Sequence, residues 1–320
     1  GGRLYLDTRA FVSAEDDVLT TRLSSPSFLD GYADSRPNSR LRAFAKGRIY
    51  YDFTLASSTS STNARPAPAA ALDQLWLKFD LFRAAFVTLG KQPIRFGASR
   101  FWNPTDFLNK SRRDSLDTFD RRLGVNLLKV HLPVEHLGGN FYGFASLDDA
   151  DEAHRIGTAA RAEVLVGTTE ITATAAAREG QPWRLGMDLS TALWLIDFRA
   201  EAAAEKGTTH NFYRGRFAPR DGDFPKTYQR ENEWIWQVVV GADIAVPYSD
   251  EDNLTVGVEA FYNDAGNSDK RLYPWVVLQG AYTPLFLAKH YAAAYLVAQR
   301  PGSWNDCTLM ANFIANLDDG

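Results

Sequence analysis

Residues 41–55 read Leu41-Arg42-Ala43-Phe44-Ala45-Lys46-Gly47-Arg48-Ile49-Tyr50-Tyr51-Asp52-Phe53-Thr54-Leu55. The odd positions carry Leu, Ala, Gly, Ile, Tyr and Phe, whereas every charged residue of the stretch stands at an even position. Successive side chains of a β-strand point to opposite faces of the sheet. The stretch therefore predicts a strand with one apolar face and one charged face.

The same alternation recurs along the whole chain, with turn-rich breaks between the segments. About fifteen segments follow it, each close to the 9–11 residues with which a tilted strand crosses a bilayer. They are Arg3–Val12, Leu41–Leu55, Ala71–Phe82, Phe86–Gln92, Arg121–Leu132, Asn140–Leu147, Thr158–Gly167, Glu170–Arg178, Arg184–Ser190, Ile196–Glu205, Trp234–Ile244, Leu254–Tyr262, Trp275–Tyr282, Tyr291–Gln299 and Thr308–Asn316. Such repetition predicts an all-β fold, an antiparallel transmembrane β-barrel with lipid outside and a polar lumen inside.

The breaks between these segments are of two kinds. Some are short, as at Gly167–Thr169, at Pro247–Asn253 and around Arg83. The long, polar ones are Glu15–Arg40, Ser57–Ala70, Pro93–Asp120 and Lys206–Gln229. Long loops on one side and short turns on the other are typical of outer-membrane barrels. Two long breaks flank the single segment 41–55, which indicates that one segment is assigned wrongly.

The last residues, Asn316-Leu317-Asp318-Asp319-Gly320, read as a turn and not as a final strand. Because a closed barrel needs every strand edge paired, about sixteen strands are expected. We therefore predict that residues 1–320 form one barrel domain that lacks its last strand. The chain opens at Gly1-Gly2-Arg3, and we presume that a secretory signal has been removed.

Composition excludes several other classes of protein. Hydrophobic residues make up 45% of the chain, too many for a disordered protein, yet no run approaches the ~20 apolar residues of a membrane-spanning helix. The net charge of −4 gives no basic field for nucleic acid. Cys307 is the one cysteine, so no disulfide forms within the chain.

One passage resembles a known family more specifically than the alternation does. It runs from Leu89-Gly90-Lys91-Gln92-Pro93-Ile94-Arg95-Phe96-Gly97 into Phe101-Trp102-Asn103-Pro104-Thr105-Asp106-Phe107-Leu108-Asn109. Together with the strand and loop pattern, it resembles the porin-like outer-membrane barrels of Gram-negative bacteria. The resemblance implies a bacterial outer-membrane location and a long loop, here residues 93–120, that folds inward as a constriction. The chain departs from the family because it does not finish in a strand ending with an aromatic residue.

Arginine and lysine cluster in and around this candidate loop, mixed with aspartate. Inside a lumen with low-dielectric walls they would focus a positive potential that favours anionic solutes. Alternatively, they form ion pairs that stiffen the loop or bind lipopolysaccharide phosphates. The charges on the polar strand face form either a transverse field across the pore or a ladder of cross-strand pairs. The candidate pore-lining and constriction residues, from the strands and the loop together, are Arg42, Lys46, Arg48, Lys78, Arg95, Arg100, Asp106, Arg112, Arg113, Arg121 and Arg122.

Aromatic residues near segment ends are candidates for the membrane interface, where Trp and Tyr anchor barrels. These residues are Trp234, Trp236, Trp275 and Tyr282. Stacking on carbohydrate is the alternative, and Trp76, on a polar face, is the ring best placed to touch a solute.

Enzymatic chemistry is not expected, since the five histidines stand in separate segments with no clear metal-ligand spacing. No metal or other cofactor is predicted, because the acidic runs 148–152 and 250–252 are typical of solvated turns, and weak calcium binding is the alternative.

The sequence therefore predicts a porin-like outer-membrane channel for passive diffusion of small hydrophilic solutes, anionic ones included. The alternative is a structural barrel subunit of a larger outer-membrane assembly, its lumen plugged or occupied by a partner. A soluble carbohydrate-binding solenoid fits less well, because the Ala- and Leu-rich faces are nearly free of charge. Expected partners are outer-membrane lipid, lipopolysaccharide and the solutes, with a homo-oligomer or other outer-membrane or periplasmic proteins as further candidates and no nucleic acid.

Overall fold

Strands make up most of the computed structural model, which describes residues 1–5, 9–15, 18–24, 26–52, 68–112, 122–208, 210–249, 252–299 and 308–319. In that part of the chain no helix is long and apolar enough to cross a membrane. The chain divides into two units. The first consists of Gly1–Pro93 with Leu123–Lys129, and the second of Ile94–Arg122 with Val130–Gly320.

The first unit contains the following strands, the last of which continues into the second unit. They are β1 (Gly2–Tyr5), β2 (Arg9–Glu15), β3 (Val18–Ser24), β4 (Pro26–Asn38), β5 (Leu41–Asp52), β6 (Ala69–Leu81), β7 (Ala85–Gln92) and β8 (Val125–Val134). The sheet order is β1-β4-β5-β6-β7-β8, and β2 and β3 form a separate hairpin. A bulge in β6, opposite Lys46 and Gly47 of β5, leaves Asp73 without a partner in the register.

The second unit contains the rest of β8 and one short helix, α1 (Tyr273–Leu278). Its strands are β9 (Gly139–Ser146), β10 (Gly157–Val166), β11 (Thr169–Ala177), β12 (Trp183–Leu193), β13 (Ile196–Lys206), β14 (Phe212–Arg214), β15 (Lys226–Tyr228), β16 (Trp234–Pro247), β17 (Asn253–Asn263), β18 (His290–Gln299) and β19 (Thr308–Asn316). The sheet order is β8-β9-β10-β11-β12-β13-β16-β17-β18-β19, and β14 and β15 form a separate hairpin. Within the described residues these strands pair in antiparallel fashion.

The sheet has the reverse polarity of a soluble protein. On one face of β6 Leu75 and Leu77 are 53% and 43% exposed, whereas Asp73 is 3% exposed. The buried charged residues of the described sheet are Asp30, Arg48, Asp73, Arg161, Asp188, Glu201, Asp243 and Glu259. Large apolar side chains left uncovered on one face, with charged side chains buried on the other, fit strands that face lipid outward and a polar interior inward.

Residues 26–38 correct one prediction. They were expected to lie in the long break Glu15–Arg40, but they form the 13-residue strand β4, which pairs along β5. The alternation here is hard to recognise because the apolar face consists mainly of small residues such as Gly31, Ala33 and Ser35. With β4 in place, short and longer connections alternate along the sheet, as the barrel pattern requires.

The expected strand Arg3–Val12 is also wrong, since β1 ends at Tyr5 and β2 begins at Arg9 in another sheet.

Residues 275–282 correct a further prediction. They were expected to form a strand, but Tyr273–Leu278 is an α-helix with Pro274 in its first turn, where the missing N–H is harmless. A short apolar run does not distinguish helix from strand by periodicity. The sheet has fifteen strands in the described residues. This equals the number of predicted segments, because the missed strand β4 offsets the false strand 275–282. The alanine-rich stretches Thr169–Ala177 and Ile196–Lys206 are strands, as predicted.

Candidate functional site

The loop between β7 and β8 is held against the polar face of the second unit by two buried strand carboxylates. The first is Glu201, in the middle of β13 and 1% exposed. Its Oε1 accepts a hydrogen bond from the backbone N–H of Ser99 at 2.5 Å, and its Oε2 accepts one from Thr105 Oγ1 at 3.0 Å. Asn103 Nδ2 donates to the same Oε1 at 3.2 Å. One carboxylate thus fixes three points of the loop.

Glu259, on β17 and 2% exposed, fixes the next part of the loop. Its Oε2 accepts from the backbone N–H of Arg100 at 2.8 Å, and its Oε1 accepts from those of Phe101 and Trp102 at 3.0 and 3.1 Å. Hydrogen bonds to an ionised acceptor are about twice as strong as neutral ones. Three consecutive N–H groups on one carboxylate therefore define the local path of the backbone.

Glycine is the residue type that fits position 97 of this loop. Its φ of +91° is unfavourable for residues with a side chain, and a Cβ there would lie 2.6 Å from both carboxylate oxygens of Glu201. The close approach of the backbone to the strand carboxylate depends on this glycine.

An apolar cluster holds the loop from the other side. Trp102 is fully buried and stacks on Phe261 of β17 with 5.1 Å between ring centres. It also contacts Tyr291 of β18, and its Nε1 donates to the carbonyl of Leu285 at 3.1 Å. Phe101 packs beside it against Tyr295. The loop is therefore packed into the polar face by a small hydrophobic core and does not simply lie across it.

The next residues of the loop neutralise their own charges. Asp106 forms an ion pair with Arg122, and Asn109 Nδ2 donates to Asp106 Oδ1 at 2.7 Å. The same amide donates to the carbonyl of Ile94 at 2.8 Å, which ties the two ends of this part of the loop together. Lys110 pairs with Asp149 at 2.6 Å.

Arg112 differs from these cations. It borders a cavity of about 320 Å³, with its Cζ 3.7 Å from the centre of the Phe286 ring. Arg184 and Glu205, also at the cavity, pair with each other at 3.2 Å. No ion pair is formed by Arg112 within the described residues. Although Arg112 is exposed at the cavity, partial desolvation by the surrounding protein atoms and then the Arg184 charge lower its pKa, while Glu205 opposes the shift.

His210 borders the same cavity, and its backbone N–H donates to Thr208 Oγ1 at 2.9 Å. Burial and then the Arg112 charge lower the pKa of His210 below its ordinary value, with Glu205 acting in the opposite sense. The imidazole is therefore neutral at neutral pH.

In the first unit, two of the predicted strand cations, Lys46 and Arg48, are paired with the same two carboxylates. Arg48 Nε lies 2.7 Å from Asp30 Oδ1, and its Nη2 lies 3.1 Å from Asp73 Oδ2. Lys46 Nζ bridges the same two carboxylates at 2.7 and 2.8 Å. Two cations and two anions form a quartet with no net charge. We call these four residues, Asp30, Lys46, Arg48 and Asp73, the wall quartet.

The other predicted residues are spread over several environments. Arg42 makes two hydrogen bonds to Asp34 at 2.9 and 2.7 Å, and Lys78 lies over the Phe86 ring at 4.9 Å. Arg100 lies over the Tyr295 ring at 4.2 Å, and Arg95 is exposed. Arg113 and Arg121 lie outside the described residues.

The predicted interface aromatics fall into two groups. Trp234 and Trp236 are 39% and 48% exposed at the start of β16, on its apolar face. Trp275 belongs to α1 and packs against the rings of Phe217 and Phe224, and Tyr282 follows the helix. Trp76, the ring expected to touch a solute, is stacked on Phe44 at 5.3 Å.

Glu201 and Glu259 are not among the predicted pore-lining and constriction residues, and their attachment to the loop was missed. The feature that could have identified them is a strand carboxylate with no cation at the paired positions of the neighbouring strands. Glu259 pairs in register with Gly241 and Ala293, and neither of these can neutralise it. Arg184, His210 and Phe286 were also missed as parts of one cavity, because only the fold brings their separate strands and loops together. Among the described residues no group of three or more His, Cys, Asp or Glu side chains could hold a metal ion.

Comparison with known proteins bears on the fold. No protein-family model matches the chain, and no curated protein sequence matches it either. Solved structures do match. The OmpF of Salmonella typhi, in complex with daunomycin, is 11% identical, with 99% of this chain and 89% of that chain covered and a TM-score of 0.55.

A mutant of the Rh. blastica porin is 12% identical over 99% of this chain and 93% of that chain, with a TM-score of 0.54. The anion-selective porin from Comamonas acidovorans is 10% identical over 98% and 88%, with a TM-score of 0.50. Identities this low establish the fold alone, and the predicted resemblance is confirmed at that level: the chain folds as a porin-like, antiparallel transmembrane β-barrel.

Proposed function

We propose that this chain is a passive channel of the bacterial outer membrane for small hydrophilic solutes, and that anions pass it more readily than cations. In this proposal residues 1–320 are one barrel domain, the polar strand face lines the lumen, and residues 93–120 are its constriction loop. The proposal includes no enzymatic activity. Outer-membrane lipid and lipopolysaccharide surround the barrel, and a homo-oligomer is compatible with it.

The observation that carries the anion preference is the uncompensated charge of Arg112. At the cavity, Asp106 is matched by Arg122 and Glu205 by Arg184. Arg112 is left without a carboxylate partner in the described residues. A cation in a narrow space with low-dielectric walls focuses a positive potential and raises the local concentration of anions. A single unmatched arginine at the constriction is therefore enough to bias permeation.

The paired strand charges support a different role. The wall quartet and the Arg42–Asp34 pair cancel internally, so they add little net potential. Cross-strand pairs of opposite charge stabilise neighbouring strands. We assign these residues to the stiffness of the wall, and the selectivity to the loop.

Changing Arg112 to glutamine is expected to lower the anion preference. A unit charge about 4 Å from a permeating ion in water contributes about 1 kcal/mol, which is roughly fivefold for one ion. Because it attracts anions and repels cations, the ratio of anion to cation permeability changes by about 2 kcal/mol, or roughly 30-fold. The measurement is the reversal potential of single channels in planar bilayers under a KCl gradient. Arg155→Gln is the matched control, because Arg155 is an exposed cation paired with Asp151 and does not border the cavity. An unchanged reversal potential in Arg112→Gln would remove the assignment.

Lowering the pH is expected to strengthen the anion preference through His210. The lowered pKa keeps the ring neutral until the pH falls below the ordinary histidine value of about 6.5. Protonation then adds a second positive charge beside Arg112. The reversal potential should therefore shift toward the anion value only as the pH falls below about 6.5. His210→Gln should flatten this shift, and an equal shift in that variant would assign the titration to another group.

A second candidate function is a structural barrel subunit whose lumen is plugged. The observation in its favour is the apolar cluster of Trp102, Phe261, Tyr291 and Tyr295, because apolar packing on a lumen face fills space that a water-filled channel would use. Bilayer recordings separate the two. Steady conductance supports the channel, whereas silence from a folded, heat-modifiable barrel supports the plugged subunit.

A further inference from the structure

The cavity beside Arg112 combines cationic and aromatic groups. Arg112 and Arg184 border it together with the rings of Phe107 and Phe286. Phe107 packs on β12 where Gly186 leaves room, since a Cβ at Gly186 would lie 3.1 Å from the end of that ring. An inorganic anion would use the guanidinium groups and leave the rings without a role.

The geometry of Arg112 leaves a recognisable binding edge. Its guanidinium carbon lies 3.7 Å from the centre of the Phe286 ring, a distance at which the cation contacts the ring directly. Stacking of that kind uses the flat face of the guanidinium, and the N–H groups point outward in its plane, where they match the two oxygens of a carboxylate. None of these N–H groups has a hydrogen-bond partner within the described residues. In that part of the chain the donors of Arg112 therefore have no acceptor and are available to a solute.

The number of free charges limits the solute further. Within the described residues, Arg184 is paired with Glu205, Arg122 with Asp106 and Lys110 with Asp149, so Arg112 is the guanidinium at the cavity without a carboxylate partner. The remaining lining adds apolar side chains, including Ile235 and Val276, and neutral amides such as Gln237. A volume of about 320 Å³ lies at the lower end of small-molecule sites, which span about 300–1,000 Å³. One charge, several rings and a small volume together describe a compact organic monoanion.

We propose, on the basis of the channel function above, that this cavity is a binding site for small aromatic carboxylates on their way through the pore. The carboxylate is held by the free edge of Arg112, and the ring of the solute packs beside Phe286 and Phe107. Acetate has the charge without the ring, and benzamide has the ring without the charge. The site therefore distinguishes benzoate from both.

The test is a titration of benzoate, acetate and benzamide into single-channel recordings of the full chain in KCl. Benzoate should interrupt the chloride current at a concentration roughly 2-fold to 10-fold lower than acetate, the gain expected from one aromatic contact. Benzamide should have no comparable effect. Phe286→Leu should bring benzoate to the level of acetate, and Arg112→Gln should weaken both. Phe224→Leu is the control, because Phe224 is an exposed ring that does not border the cavity.

The outcomes separate this inference from the channel proposal. Conductance in KCl with equal effects of benzoate and acetate would overturn the aromatic site and leave the channel in place. Without conductance, the channel proposal fails, and calorimetric binding of benzoate to the folded protein in detergent decides the site. Binding that is lost in both Arg112→Gln and Phe286→Leu supports it, and the absence of binding, or binding that either variant retains in full, overturns it.

Discussion

Replacing Glu259 by leucine is expected to release the Arg100–Trp102 part of the loop and to raise the single-channel conductance. Leucine removes the acceptor of three backbone N–H groups while it keeps a side chain of similar bulk. Each buried donor left without a partner costs about 1–3 kcal/mol, so the anchoring weakens by roughly 3–9 kcal/mol if the three add. The loop should also become sensitive to added protease.

The controls for this prediction distinguish anchoring from a general loss of charge. Glu170→Leu removes an exposed carboxylate at the start of β11 and should leave conductance and protease resistance unchanged. Glu259→Gln keeps one acceptor oxygen and should fall between the wild type and Glu259→Leu. If Glu259→Leu retains the conductance and the protease resistance of the wild type, the apolar cluster around Trp102 holds the loop without help from the carboxylate.

The strand architecture could be predicted from the sequence because a lipid-facing sheet imposes a period of two on every strand. Where large apolar residues such as Leu, Phe and Trp occupy every second position, as in β6 and β16, the prediction and the structure agree. It failed at β4, whose apolar face carries Leu29 but otherwise consists of small residues such as Gly31, Ala33 and Ser35, because small residues can face lipid without giving a hydrophobic pattern. It failed again at α1, where six apolar residues carry no periodic signal that excludes a strand.

The loop was recognisable from its length and its charges, but its attachment was not. Charge content alone treated all arginines of the region as equivalent. The structure separates Arg122, which is neutralised by Asp106, from Arg112, which stacks on a ring. That distinction depends on which side chains meet in the fold, including pairs such as Arg112 and Phe286 that are far apart in the sequence. The strand register and the path of the loop determine which side chains come into contact, and neither can be read from a single sequence.

Replacing Arg48 by methionine is expected to be among the most destabilising changes in the wall of the first unit. Arg48, Asp30 and Asp73 are each at most 5% exposed, so the change leaves two buried carboxylates with Lys46 as their remaining cation. Removing one partner of a buried ion pair typically costs about 3–5 kcal/mol. Denaturant unfolding of the detergent-solubilised barrel should show a loss of that order.

Arg42→Met is the matched comparison, since it breaks a pair with Asp34 whose side chains are 37% and 30% exposed. Exposed pairs contribute about 0–1 kcal/mol, so the two variants should differ severalfold in their effect on unfolding. The reversal potential gives a second readout. If Arg48→Met lowers stability and leaves ion selectivity unchanged, the quartet stiffens the wall. If selectivity moves while stability does not, the strand charges set a transverse field, and the division between a structural wall and a selective loop is wrong.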